Sequence, residues 1–267
     1  MTLRLESAAA SASGPRPSNQ DSAFAAPWGA GVADGVGGGP AGDLASAAFV
    51  HRLVAGWHQA PDAEMLTERT VLANWDLAAH AHRDPRLAGM ATTFTGLFVG
   101  HRGRLLLAHI GDSRAYSLRS GTMTRMTRDD SFVQALVDGG HVRAEDASTH
   151  PHRNLITASL SGGPDDLPLV TWVDPRVDDR WLLCSDGLTD YVGDVAVSEA
   201  LGRDDREEAA SALIDLALEA GAADNVTVVV TDVRASDDVP ARGTPVFVGA
   251  AARRFTDDDP FRHLTAV

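Results

Sequence analysis

Apolar and polar positions along the chain follow two rhythms. Leu3 and Leu5 alternate with polar neighbours, a faint period-two signal for an edge strand, and the Ala/Ser/Gly/Pro-rich stretch 7–17 reads as loop. Short strands are predicted over 22–26 and 30–33, joined through Pro27-Trp28-Gly29. That turn would set Asp21 and Asp34 at one end of the pair or a layer apart. A helical rhythm follows. Residues 43–57 gather Leu44, Ala47, Ala48, Leu53 and Val54 near one face, with Asp43 as N-cap, and 62–81 form a second helix with Met65, Leu66, Val71, Leu72 and Trp75 as its stripe. Four strands are then predicted, over 92–99, 104–110, 115–118 and 123–126, with Gly-containing turns spaced as in an antiparallel meander. A short helix at 131–137 leads into a polar flap over 138–151. Strands at 155–160, 169–173 and 181–185, helices at 194–201 and 205–219, and a β-branched strand over 223–231 complete a single domain, 1–233. Residues 234–267 read as a tail, disordered in part, with one apolar patch at 245–248.

Composition narrows the function. The net charge of −14 argues against nucleic acid or an anionic membrane as partner, and the 44% hydrophobic content supports a sizeable core. All 23 basic residues are arginine. The one cysteine, Cys184, excludes an internal disulfide and lies in an apolar run, where a buried inert thiol is expected. No apolar run reaches 18 residues and no leader pattern opens the chain, so a cytoplasmic protein is expected.

The candidate chemistry lies where strands start and stop. The apolar run 30–33 ends on Asp34, followed by Gly35, Gly37, Gly38 and Gly39; glycines let backbone approach a ligand closely. Trp181-Leu-Leu-Cys-Ser-Asp-Gly-Leu188 repeats this pattern with Asp186. Asp112 sits between two strands in Gly111-Asp-Ser-Arg114, Asp224 at the entry of another, and Asp21 before its own. A single Asp-Gly turn is weak evidence. Five such carboxylates point to one oxygen-rich site, and carboxylates without a His/Cys cluster favour Mg²⁺ or Mn²⁺ over Zn²⁺. His80, His82 and Asp84 read as a solvated helix end, and His141, His150 and His152 as surface loop residues.

Arg16-x-x-Asn19-Gln20-Asp21, Asp34-Gly35-x-Gly37-Gly38, Thr92-Thr93, Gly111-Asp-Ser-Arg114, Leu183-Cys-Ser-Asp-Gly-Leu188 and Asp224-Asn-x-Thr227 occur in series over nearly the whole chain. In this the chain resembles the metal-dependent protein serine/threonine phosphatases of type 2C, the bacterial members above all. The resemblance implies an α+β fold, a four-layer α-β-β-α sandwich with two central antiparallel sheets flanked by helices. It implies hydrolysis of phosphoserine and phosphothreonine by a water bridging two Mn²⁺ or Mg²⁺ ions, with a weaker third ion. By resemblance Asp34 bridges the pair, Gly35 supplies a carbonyl ligand, Asp186 and Asp224 are further ligands, and Asp112 serves the third ion with Asp186. Asp21 is similar to the residue that orders metal-bound water, and Arg16 to the one that grips the substrate phosphate. Partners would be phosphorylated proteins, serine/threonine kinases and their substrates, met by a monomer. Val36, Asp130 and Ser161 depart from the pattern, the first where eukaryotic relatives carry a histidine proposed as general acid. A catalytically inactive adaptor of the same fold is the alternative, marked by loss of Asp34, Asp186 or Asp224, none of which is lost.

Overall fold

The computed structural model describes residues 2–36, 41–57, 60–237 and 243–255; Gly37, Gly38 and Gly39 lie outside them. Two antiparallel sheets stack face to face. The first runs β1 (Thr2–Ala12), β11 (Val226–Ser236), β10 (Arg180–Cys184), β7 (Arg114–Arg119), β8 (Thr122–Arg125). The second runs β12 (Val246–Gly249), β2 (Asp21–Ala26), β3 (Gly29–Val36), β5 (Phe94–Val99), β6 (Leu105–Ile110), β9 (Leu169–Val173), with the short β4 (Ala91–Thr92) paired to β3. Helices α1 (Gly42–Val54) and α2 (Ala63–Arg83) cover the second sheet; α5 (Asp194–Leu201) and α6 (Arg206–Glu219) cover the first. Two short helices, α3 (Phe132–Asp138) and α4 (Asp186–Thr189), lie near the strand ends.

Period-two alternation builds these layers. On β2, Ala23 and Ala25 face the other sheet while Phe24 faces the helices; on β10, Trp181 and Leu183 point between the sheets and Leu182 and Cys184 toward α6. The central strands of each sheet are therefore buried on both faces, which explains their near-continuous apolar runs. Cys184 is fully buried and burial pushes its thiol up to about 12, so it supplies no nucleophile. Among the described residues no helix is long and apolar enough to cross a membrane.

Several sequence expectations are corrected here. Residues 7–12 are not loop but the second half of β1, in register with β11 from Ser7↔Thr231 to Ala12↔Val226. Hydroxyl pairs close the ladder where composition suggested none: Ser7 Oγ donates to Thr231 Oγ1 at 2.8 Å, and Ser11 Oγ meets Thr227 Oγ1 at 2.7 Å. The N-cap of α1 is Ala41, with Asp43 inside the first turn. On α2 the stripe is rotated: Leu66, Thr70, Ala73, Asn74, Leu77 and His80 are buried, whereas Leu72 and Trp75 are exposed. Polar members of the buried face carry their own partners, Thr70 donating to the Leu66 carbonyl and Asn74 bonding Gly162 and Gly163, so a hydrophobic count misses them. Residues 155–160 form only isolated bridges, at Ile156 to Ser131 and Leu160 to Thr92. The apolar patch at 245–248 falls on β12, which pairs with β2 from Val246↔Ala25 to Gly249↔Ser22.

Candidate metal and phosphate site

The β2–β3 hairpin has a two-residue turn, Pro27 and Trp28, and its register sets Asp21 opposite Asp34 at the open end. Of the two placements the sequence left open, the first is found. Asp34 is held by its backbone: its N–H donates to Thr93 Oγ1 at 3.1 Å, and its carbonyl accepts from Thr93 N at 2.8 Å and Thr92 Oγ1 at 2.9 Å. Ser185, at the end of β10, joins the sheets. Its Oγ donates to Asp21 Oδ2 at 2.8 Å and accepts from Thr227 N at 3.0 Å. Asp186 then opens α4. Asp112 lies in the β6–β7 turn, which is braced by Asp130 through Gly111 N to Asp130 Oδ2 at 3.0 Å and Asp130 N to Gly111 O at 2.7 Å.

Asp224 precedes β11 beside the loop that carries Arg16. Arg16 Nη2 donates to Asp224 Oδ2 at 2.7 Å and its Nε to the Ala223 carbonyl at 3.0 Å. Asn225 sews this loop down: Nδ2 donates to the carbonyls of Ser13 and Ser18, and Oδ1 accepts from Gln20 N.

The charges tell what the site lacks. Burial, then the neighbouring charges of Asp21, Asp186, Asp112 and Asp224, raise Asp34 well above the ordinary carboxylate range. Burial followed by Asp112, Asp190, Asp21 and Asp224 does the same for Asp186. Burial raises Asp21 to about 6, against hydrogen bonds from Thr227 and Ser185 that lower it, and raises Asp112 to about 7 with help from Asp129. For Asp34 and Asp186 every leading cause raises the pKa and none is a cation. Five carboxylates from both sheets thus share one field, and a compact positive charge is what would relieve it.

The donor set fits a hard divalent ion. Asp112 Oδ1 is buried with no hydrogen-bond partner among the described residues. Gly35 lies where a Cβ would stand 2.2 Å from the Gly42 carbonyl oxygen and 2.7 Å from that of Gln20, so only glycine lets its backbone sit among these oxygens. Among the described residues no three His, Cys, Asp or Glu side chains already close into a metal-holding cluster, so the fit rests on donor chemistry and charge. Beside the carboxylates opens a cavity of about 550 Å³, lined by Asp112, Asp186, Asp190, Arg153 and the flap residues Ala144, Glu145, Ala147 and Ser148 among others.

The family model for protein phosphatase 2C matches residues 16–232. The chain belongs to the protein phosphatase 2C family. It is 42% identical over 264 residues to the serine/threonine protein phosphatase PstP of Mycobacterium tuberculosis, covering 97% of this chain and 50% of that protein. The chain therefore spans about half the length of this curated relative. To the serine/threonine phosphatase stp of Listeria innocua it is 33% identical over 210 residues, 75% of this chain and 82% of that one. The crystal structure of M. tuberculosis PstP superposes with a TM-score of 0.83 at 42% identity, over 87% of this chain and all of that one. A PstP catalytic domain solved with two manganese ions gives 0.81 at 41% identity, over 88% and 100%. The four-layer α+β sandwich is the architecture of these phosphatase structures.

Within this 2C domain the predicted carboxylates Asp21, Asp34, Asp112, Asp186 and Asp224 gather together with Gly35, and Arg16 stands beside Asp224. Other contributors went unnoticed in the sequence. Ser185 lies inside the Leu183–Leu188 motif, but its bond to Asp21 crosses between sheets. Asp129 grips Arg114 at 2.8 Å and also pairs with Arg125, and Arg114 reaches the Tyr116 hydroxyl. Asp190, the C-cap of α4, faces Arg153, just past the flap, at 3.6 Å. Only long-range contacts single these residues out.

Proposed function

We propose that the chain is a metal-dependent phosphoprotein phosphatase that hydrolyses phosphoserine and phosphothreonine monoesters with Mn²⁺ or Mg²⁺. The observation that carries this reading is the uncompensated burial of Asp34 and Asp186 among like charges. Family membership and the two manganese ions of the PstP catalytic domain support the same reading. Asp34 would bridge two ions, with the Gly35 carbonyl, Asp186 and Asp224 completing their protein ligands. Asp112, with its unpartnered oxygen, would serve a weaker third ion with Asp186. When bound, the ions lower the pKa of a water so that hydroxide is available near neutral pH, and they offset charge on the phosphoryl oxygens.

The residues of the chain do the remaining work. Asp21, buried and anchored by Ser185, would accept hydrogen bonds from water at the site and orient it. Arg16 takes the substrate phosphate. Its guanidinium is half exposed and presently bonded to Asp224, so binding substrate means exchanging one anionic partner for another. Val36, on β3, offers no proton, so the leaving-group proton comes from water. The inactive-adaptor alternative has no support from any lost carboxylate. Phosphorylated proteins would be the substrates and serine/threonine kinases the functional counterparts.

Hydrolysis of para-nitrophenyl phosphate and of a phosphothreonine peptide, with MnCl₂ or with EDTA, tests the reading. Manganese-dependent turnover of both is expected; metal binding without turnover would favour the adaptor. Arg16→Ala should lower kcat/KM for the phosphopeptide about tenfold to a hundredfold, the range of a lost charge-assisted hydrogen bond. Unchanged kcat/KM would remove Arg16 from phosphate binding.

A further inference from the structure

The span matched by the family model stops at residue 232, yet β12, beyond it in the chain, pairs with β2, which opens on Asp21. Strand β12 ends at Gly249, and one turn of 3₁₀ helix, Ala250–Ala252, follows. We infer that this C-terminal strap, 246–254, is a positioning element of the metal site, acting through Ser22 and Ser46. The inference rests on the carboxylates being metal ligands, as proposed above.

A directed chain of hydrogen bonds carries it. Ala251 N donates to Ser22 Oγ at 3.0 Å. Ser46 Oγ donates to the Gln20 carbonyl at 2.6 Å. A serine hydroxyl has one proton, so in the 2.9 Å contact between Ser22 and Ser46 the donor is Ser22. The Gln20 carbonyl also accepts the Gly35 N–H, at 3.2 Å. From the strap to the backbone of Gly35 each group thus has its partner. Both serines are fully buried, so water cannot replace either bond without a cost.

Three further contacts hold the strap in place. Gly249 has φ of +70°, and a Cβ there would stand 2.2 Å from the Asp21 carbonyl oxygen. The strap thus presses on the backbone of one site carboxylate where any side chain would push it off. At its end Arg254 Nε donates to Asp43 Oδ2 at 3.0 Å. Asp43 follows Gly42, whose carbonyl is the close neighbour of Gly35. His51 of α1 holds the middle of the strap, its Nε2 lying 2.8 Å from the Ala251 carbonyl. The strap therefore braces Asp21 on one side and the Gly35–Gly42 approach on the other.

The test is calorimetric titration of Mn²⁺ into the full chain and into Ser22→Ala, Ser46→Ala and Gly249→Ala, with thermal melts and amide exchange at Gly35 in the metal-free proteins. Ser22→Ala keeps the Ser46–Gln20 bond and cuts only the link to the strap. Mn²⁺ affinity should fall about tenfold to a hundredfold in Ser46→Ala and Gly249→Ala, the range for lost outer partners of metal ligands, and measurably in Ser22→Ala. Gly35 exchange should quicken in all three. Variants that melt lower but keep parental Mn²⁺ affinity and Gly35 exchange would show ordinary packing serines and overturn the inference. A parent chain that binds no Mn²⁺ would instead overturn the metal reading on which it rests.

Discussion

Asp186→Asn is expected to lose Mn²⁺-dependent hydrolysis by at least about a thousandfold while remaining folded. A divalent ion stabilises transition-state charge by several kcal/mol, and about 4 kcal/mol corresponds to three orders of magnitude. The same substitution removes a charge that its surroundings oppose, since burial and four neighbouring carboxylates raise the Asp186 pKa. In EDTA at pH 8 the variant should therefore melt no lower than the parent. Loss of activity with an unchanged or raised metal-free melting temperature separates a ligand from a structural residue. Retained activity would refute the site, and a large drop in metal-free stability would make Asp186 a structural partner.

The second large effect concerns pH. Asp21 is raised to about 6 and Asp112 to about 7, from 3.8 in each case. The folded chain therefore holds these protons more tightly than the unfolded chain. Their contribution favours folding fully below the unfolded value, is lost as pH rises toward the folded values, and is constant above them. In EDTA the melting temperature should fall from pH 5 to about pH 7. For Asp21 alone the displacement corresponds to about 3 kcal/mol. Added Mn²⁺ should reverse the trend, with the larger gain at pH 8, because ligand carboxylates must be deprotonated to bind. Metal-free melting temperatures that rise between pH 5 and 7 would contradict the shared field.

Much of this site was legible because its residues are tied to local syntax. An apolar run that meets Asp-Gly is visible in a line of text and points to Asp34 and Asp186, and Asp112 is visible as an acidic residue between two predicted strands. Whether Asp21 lies beside Asp34 or a layer away was not, since that depends on the pairing of the two strands, which a line of text does not show. Thr70 and Asn74 on α2 misled for a related reason. A polar side chain whose partner lies far along the chain, or on its own helix backbone, can be buried as safely as leucine, and periodicity counts it as solvent-facing. Residues 7–12 looked like loop because alanine and serine carry little strand preference, and their order comes from β11. The strap was read as tail with an apolar patch because nothing within 245–248 reveals that β2 has a free edge to receive it.

The two-residue turn at Pro27 and Trp28 has a consequence for how this domain can vary. Hairpin tips are ordinarily where chains absorb extra residues. Side chains on a strand alternate with a period of two, so one added residue at this tip, if taken up as a shift in pairing, would turn every following side chain to the opposite face. Asp34 would then leave Asp21, and Val32 would trade the space between the sheets for the helix layer. The tip lies at the far end of the hairpin from the carboxylates, yet its length is a ruler for them. Natural length variation in this domain should accordingly collect in the flap and the helix connections, and spare Pro27 and Trp28.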